Sequence, residues 1–166
     1  LTDQEREQRR ASRPAALRLR AEISEFTIDD LLHGTVTGAV DDVVLRRGDG
    51  VVAYNLAVVV DDAQQGVGEI VRGDDLLSSA PRQAYLATLL GATPATYAHI
   101  PIALNADGQR LAKRDGAVTL REIGPDTLRI IAASLGLEGG TAADLLESFE
   151  LSALPPEPWV FMPAGQ

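Results

Sequence analysis

A cluster of basic residues near the middle of the chain is the first stretch that could bind a charged ligand. Arg110, Lys113 and Arg114 lie in a segment that one Asp-Gly dipeptide precedes and another follows. Dipeptides of this kind favour tight turns, so the sequence predicts a basic loop held at both ends. Lysine supplies a compact cation and arginine a planar fork of donors, which suits a polyphosphate. A solvated surface loop is the alternative, and these residues alone leave it open.

An arginine at the end of an apolar segment is the second candidate. Residues 69–72 are typical of a short buried strand that ends at Arg72. A buried guanidinium is costly unless it pairs with an anion, and open α/β sheets bind ligands outside the carboxyl ends of their strands. The anion could belong to a ligand, or it could be Asp74, Asp75 or Glu69 in a structural ion pair.

The sequence does not indicate a metal site. Asp-Asp doublets occur at positions 41–42, 61–62 and 74–75, but neighbours on a strand face opposite ways, so helix caps and solvated ends are favoured. His33 and His99 are too few to form a zinc cluster, and the chain has no cysteine. We therefore expect neither a metal centre nor a disulfide framework in this chain.

Composition favours a folded protein without a general affinity for nucleic acid. The 166 residues are 45% hydrophobic, enough for one ordinary domain or two small ones. A net charge of -9 argues against a protein that binds nucleic acid through its overall electrostatic field. The longest apolar run, residues 56–60, is far too short to span a membrane. Arginines are nevertheless concentrated near the start, at Arg6, Arg9, Arg10, Arg13, Arg18 and Arg20.

Periodicity and turn residues predict a mixed order of helices and strands. The first helix is so polar that a solvated terminal helix is favoured over an RNA-contacting arm. Tyr54 follows a predicted hairpin and could simply be a packing aromatic. The predicted elements are a polar helix over 2–13, a strand over 17–24, a hairpin of 43–45 with 51–54, a strand over 69–72, a helix from Ser78 or Ser79 to Gly91, a strand over 97–104, helices over 125–135 and 141–149, and an extended tail over 155–159.

Several segments together resemble the glutamyl branch of the class I aminoacyl-tRNA synthetases. The likeness covers roughly residues 14–135. The basic loop resembles the Lys-Met-Ser-Lys-Ser signature of that class and departs from it everywhere except Lys113. The segments that carry the resemblance are, in order, residues 54–62, 71–79, 81–83, 98–101 and the signature loop formed by Arg110, Leu111, Ala112, Lys113 and Arg114.

The resemblance implies an α/β fold with three segments. Residues 1–66 would be the remainder of an inserted acceptor-binding domain, and residues 67–120 the second half of a Rossmann-type catalytic domain with the signature loop. Residues 121–166 would form a C-terminal helical segment and tail. The resemblance also makes residues 56–63 helical, although their propensity alone favours a strand.

The resemblance also implies roles for individual residues. Tyr54 and Arg72 would bind the substrate L-glutamate, through a hydroxyl and through a guanidinium fork onto a carboxylate. Lys113 would contact ATP and stabilise the charge that develops as pyrophosphate departs. Ala112 stands where the signature has a serine, so one hydroxyl contact to phosphate is lost. ATP would be used with Mg²⁺, and any zinc ligands would lie upstream of Leu1.

The two ends of the chain add expectations about the whole protein. The chain begins at Leu1 and lacks the His-Ile-Gly-His-type motif of this class, so we expect the second half of a catalytic unit, inactive alone. The Pro158-Trp159 ending is similar to the shortened glutamyl-queuosine tRNA(Asp) synthetases. That implies a cytoplasmic monomer that activates glutamate with ATP and transfers it to the queuosine base of tRNA(Asp). The alternatives are part of an ordinary glutamyl-tRNA synthetase and a non-catalytic paralogue binding glutamate, nucleotide or RNA.

Overall fold

The computed structural model describes residues 2–12, 14–111 and 124–162. Contacts divide the chain into two compact units, the first made of residues 1–71 and 76–98 and the second of residues 72–75 and 99–166. The three functional segments expected from the sequence stay a prediction. The helices and strands are α1 (Asp3–Ser12), β1 (Leu17–Arg18), β2 (Glu25–Asp30), β3 (Gly34–Ala39), β4 (Val44–Arg46), α2 (Tyr54–Gln65), β5 (Glu69–Gly73), α3 (Ala80–Leu89), β6 (Thr96–Ile100), β7 (Ala103–Leu104), α4 (Thr127–Ser134), α5 (Ala142–Ser148) and β8 (Trp159–Val160).

A four-stranded sheet with the order β3-β2-β6-β5 is the main strand assembly described. β2 and β3 form an antiparallel pair, and β2 runs parallel to β6 through Asp30 and Tyr97. β5 lies at the edge, and none of its residues is fully buried. The predicted strand over 69–72 is therefore present, but the expectation that it is buried is wrong, because among the described residues only β6 pairs with it.

Two helices cover the first unit's core. α3 is buried along residues 80–81 and 83–87, and it packs against β2, β3 and α2. One apolar cluster joins Ile28, Ala80, Ala84 and Tyr97, and a second joins Val59, Leu86 and Ala87. Val59 comes from α2, which confirms that residues 56–63 are helical. Burial of its apolar face against α3 thus decides for helix against local strand propensity.

One strand predicted in the first unit is shorter in the structure than expected. The strand expected over 17–24 is only Leu17–Arg18, whose pairing with β4 shifts register between its two residues. Beyond β1 the chain is held by isolated hydrogen bonds, such as the one that the Ala21 N–H donates to Asp42 Oδ1. Leu89 and Leu90 lie at the C-terminal end of α3 and are half exposed.

The second unit contains a small sheet that joins distant segments. β7 runs parallel to β8, with Ala103 opposite Trp159 and Leu104 opposite Val160. The strand expected over 97–104 is interrupted at Pro101, which has no N–H to donate. The predicted tail thus contains a strand, whereas the two predicted C-terminal helices are confirmed as α4 and α5. No helix in the described ranges is long and apolar enough to cross a membrane.

Candidate functional site

The carboxyl end of β5 brings an arginine against a buried histidine of the second unit. Arg72 is half-buried, and its Nε–H donates to Nε2 of His99 at 2.9 Å. His99 is 0% exposed. An arginine Nε–H can only donate, so Nε2 of the imidazole accepts this bond. His99 belongs to segment 98–101, which carries the family resemblance, but the only individual role weighed for it from the sequence was that of a zinc ligand. A polar residue within the otherwise apolar segment 97–100 was the available sign of a specific role.

A close backbone approach follows immediately at Gly73. A β-carbon added there would lie 2.6 Å from Asp75 Oδ1 and 2.9 Å from Ile102 Cγ2. The other carboxylate oxygen of Asp75 accepts a short hydrogen bond from the Arg110 guanidinium. Glycine therefore allows this carboxylate to sit against the chain while it pairs with the first base of the signature loop.

A tight hairpin presents Arg110. Asn105 Oδ1 accepts hydrogen bonds from the backbone N–H groups of Asp107 and Gln109, at 3.1 and 2.8 Å. Gly108 has a φ of 73°, a left-handed conformation that glycine adopts without strain. The turn predicted from the first Asp-Gly dipeptide is thus confirmed.

The signature loop is only partly described. Arg110 bridges back to Leu104 in the antiparallel sense, and Leu111 donates its N–H to Ala103. Ala112, Lys113 and Arg114 lie outside the described residues. The expected phosphate-binding role of Lys113 therefore stays a prediction.

Tyr54 opens α2 in the first unit. It follows the hairpin around residues 47–50 and is 61% exposed, so it is not the packing aromatic that the hairpin alone allowed. The next residue, Asn55, accepts a hydrogen bond at 2.9 Å through Oδ1 from Nε2 of Gln83, which is 2% exposed. A buried amide on α3 thus fixes the turn of α2 that carries the phenol.

An arginine concavity of about 850 Å³ lies between α1 and the turn of the β4 hairpin in the first unit. Arg47 pairs at 2.7 Å with Asp49, the one acidic side chain among the described residues of the lining. α1 has no buried residue, as expected of a solvated helix. Arg6 and Arg10 pair with Asp3 and Glu7 along α1, at 3.4 and 3.7 Å. Such exposed pairs are weak, so the arginine-rich lining still suits an extended polyanion. The lining residues are Arg6, Arg9, Arg10, Pro14, Ala15, Ala16, Arg18, Arg47, Gly48 and Asp49.

Metal ligation is not indicated in the part of the chain that the structure describes. There, no group of three or more histidine, aspartate or glutamate side chains is placed to hold an ion. The Asp75 carboxylate faces a guanidinium instead.

The sequence is similar to curated tRNA ligases along nearly its whole length. A family model described as "tRNA synthetases class I (E and Q), catalytic domain" matches residues 1–149. A Glutamyl-Q tRNA(Asp) synthetase of Nocardia farcinica is 59% identical over 99% of this chain and 55% of that protein. A protein of the same name from Cutibacterium acnes is 46% identical over 95% of this chain and 47% of its own length. A glutamate–tRNA ligase of Nitrosospira multiformis is 42% identical over 84% of this chain and 33% of its own length.

Solved structures share the fold. A glutamate-tRNA synthetase from Elizabethkingia anophelis superposes with a TM-score of 0.74 at 21% identity, over 98% of this chain and 40% of that one. A glutamate tRNA ligase from Elizabethkingia meningosepticum, solved in complex with its amino acid, superposes with a TM-score of 0.73 at 19% identity, over 98% of this chain and 39% of that one. The chain spans about half the length of the first two curated relatives and less than half of these structures.

Proposed function

Because the chain belongs to the class I tRNA synthetase catalytic-domain family for glutamate and glutamine, we propose that its complete reading frame encodes a ligase that activates L-glutamate with ATP. Membership confirms the α/β synthetase fold predicted from the sequence. The observation that carries the proposal is 59% identity to a Glutamyl-Q tRNA(Asp) synthetase over 99% of the chain. We accordingly propose the queuosine base of tRNA(Asp) as the acceptor and the cytoplasm, where ATP and tRNA meet, as the location.

The proposed reaction has two steps. An oxygen of the glutamate α-carboxylate attacks the α-phosphorus of ATP, and the bond to the bridging oxygen breaks to release pyrophosphate. The nucleophile of the modified base then attacks the acyl carbon of glutamyl-adenylate, and AMP leaves. Neither step needs a covalent bond to the protein, so catalysis consists of positioning and charge stabilisation. Mg²⁺ would accompany ATP, and none of the described residues is assigned to it.

The proposal assigns Arg72 and Tyr54 to glutamate. Arg72 lies at the carboxyl end of β5, a usual position for ligand contacts in α/β sheets. Tyr54 lies on the first turn of α2, and its side chain is exposed and available for a contact. Lys113, three residues after Arg110, is assigned to ATP on the resemblance of the loop. The enzyme is proposed to act as a monomer.

The arginine concavity supports an RNA partner. The described residues that line it include five arginines and one aspartate, in a chain whose net charge is -9. Two of these arginines, Arg6 and Arg10, also form exposed ion pairs within α1. Phosphate contacts made by such a surface position an RNA without reading its sequence. The concavity therefore fits a tRNA backbone and leaves the identity of the tRNA to other contacts.

Arg72→Ala tests the assignment of glutamate to this arginine. Glutamate-dependent exchange of pyrophosphate into ATP is measured on the product of the complete reading frame. Loss of a charge-assisted pair worth roughly 1.5–3 kcal/mol should raise the KM for glutamate about 10- to 100-fold. The KM for ATP should stay within about twofold of the unmodified value. Arg129 is an exposed arginine of α4, and Arg129→Ala should change neither KM value. A larger rise in the KM for ATP would contradict the assignment.

A glutamate–tRNA ligase acting on tRNA(Glu) is the second candidate, because such a ligase is 42% identical. Charging assays with queuosine-containing tRNA(Asp), queuosine-free tRNA(Asp) and tRNA(Glu) distinguish the two. Acceptance of glutamate only by the first substrate supports the proposal, and acceptance by tRNA(Glu) supports the second candidate. Absence of pyrophosphate exchange in a folded preparation would instead indicate a non-catalytic paralogue.

A further inference from the structure

We propose that His99 is a positioning residue that orients the Arg72 guanidinium for a ligand carboxylate. This inference rests on the proposed role of Arg72 in glutamate binding. It concerns a second residue, one that would not touch the substrate itself. The observation behind it is the 2.9 Å hydrogen bond from Arg72 Nε to His99 Nε2.

Burial makes the imidazole a fixed reference point. His99 is 0% exposed on β6, the sheet neighbour of β5. Arg72 is only half-buried at the end of an edge strand. An arginine side chain has many rotamers, so an unanchored guanidinium would have to be ordered when the ligand binds. Anchoring one nitrogen on a buried ring means that part of this ordering is complete before the ligand arrives.

The anchor also selects an edge of the guanidinium. A planar guanidinium can pair with a carboxylate through Nε and one terminal nitrogen, or through its two terminal nitrogens. His99 occupies the Nε direction. A two-point pairing with glutamate would therefore use Nη1 and Nη2, whichever partners those nitrogens have before the ligand binds. Arg72 would thus recognise the carboxylate end-on.

The direction of the hydrogen bond defines suitable variants. Nε2 accepts, so a replacement must offer an acceptor to preserve the anchor. His99→Gln supplies a side-chain carbonyl oxygen. His99→Leu fills comparable space but offers no acceptor, and it leaves the Arg72 Nε–H without this partner. A residue that only filled the core would tolerate leucine at least as well as glutamine.

The test is a double-mutant cycle on glutamate binding, made in the product of the complete reading frame. KM values for glutamate and ATP are obtained from pyrophosphate exchange, and glutamate affinity is measured separately by calorimetry. We expect His99→Leu to raise the KM for glutamate roughly tenfold, the loss of one charge-assisted hydrogen bond, and to leave that for ATP within twofold. We expect His99→Gln to recover most of the loss. In an Arg72→Ala background, His99→Leu should add less than about twofold, because the two residues act as one unit.

Each contrary outcome overturns the inference in a recognisable way. An unchanged KM for glutamate in folded His99→Leu would show that the anchor is irrelevant. An equal additional loss in the Arg72→Ala background would show that His99 acts independently of Arg72. Equal effects of leucine and glutamine on both KM values and on thermal stability would show a structural role only. No glutamate binding by the unmodified protein would refute the proposed function and this inference together. Glutamate binding without exchange would refute only catalysis, and calorimetry would still decide the inference.

Discussion

Gly73→Ala should disturb the site through steric overlap alone. The new β-carbon would meet Asp75 Oδ1 at 2.6 Å and Ile102 Cγ2 at 2.9 Å, both closer than carbon normally approaches these atoms. Neither neighbour can move cheaply. The carboxylate of Asp75 is held by Arg110, and Cγ2 of Ile102 is attached directly to its β-carbon. Overpacking of this kind typically costs about 1–3 kcal/mol of folding free energy.

Urea unfolding of the complete protein measures this cost, with Gly68→Ala as the matched control. Gly68 lies just before β5, and an added β-carbon there would meet nothing within 4 Å. The control should be neutral or stabilising by up to about 1 kcal/mol, because alanine restricts the unfolded chain. In an Asp75→Ala background the closer overlap is removed, so the cost of Gly73→Ala should fall while the contact with Ile102 remains. Equal stability of the two alanine variants would refute the reasoning.

Three further predictions concern the cap of α5 and the arginine concavity. Thr141→Ala removes the side-chain half of a capping box with Asp144 and should cost about 1 kcal/mol in urea unfolding. Hydrogen bonds from the Thr141 side chain and the adjacent backbone lower the pKa of Asp144. The contribution of the Asp144 carboxylate to stability is therefore complete above the ordinary carboxyl range and is lost as the pH falls through the lowered pKa. An NMR titration in which Thr141→Ala failed to raise the pKa of Asp144 would contradict the assigned role of the Thr141 side chain. The double variant Arg9→Ala, Arg10→Ala should weaken tRNA binding and reduce the slope of log affinity against log salt concentration by roughly one to two units, whereas Arg129→Ala should leave that slope unchanged. Equal slopes in all variants would show that the concavity is not part of the RNA-binding surface.

Local signals in the sequence were sufficient for several elements. α5 was predicted as a helix over residues 141–149, and in the structure reciprocal hydrogen bonds between Thr141 and Asp144 cap its start. The turn at Asp107-Gly108 was predicted from the dipeptide, and Gly108 has the expected positive φ. These features depend on residues within one or two turns of each other. Short-range chemistry is readable without knowledge of the fold.

Long-range pairing could not be read in the same way. β7 and β8 have two residues each and are far apart in the chain, so neither has a periodicity that predicts its partner. The alternation over 17–24 did suggest a strand, yet only Leu17–Arg18 pairs with another strand, because its partner β4 is short. The pairing of Arg72 with His99 likewise depends on which strand ends lie side by side. For the candidate site, the sequence thus predicted Arg72 but not the histidine that holds it.

The most direct test of the proposed activity is glutamate-dependent pyrophosphate exchange by the product of the complete reading frame, compared with its Arg72→Ala variant at several glutamate concentrations. We predict exchange that requires glutamate, with the variant approaching the unmodified rate only at much higher glutamate concentration. Exchange with the same glutamate dependence in both proteins would contradict the assigned site, and absence of exchange from the folded, unmodified protein would contradict the ligase itself.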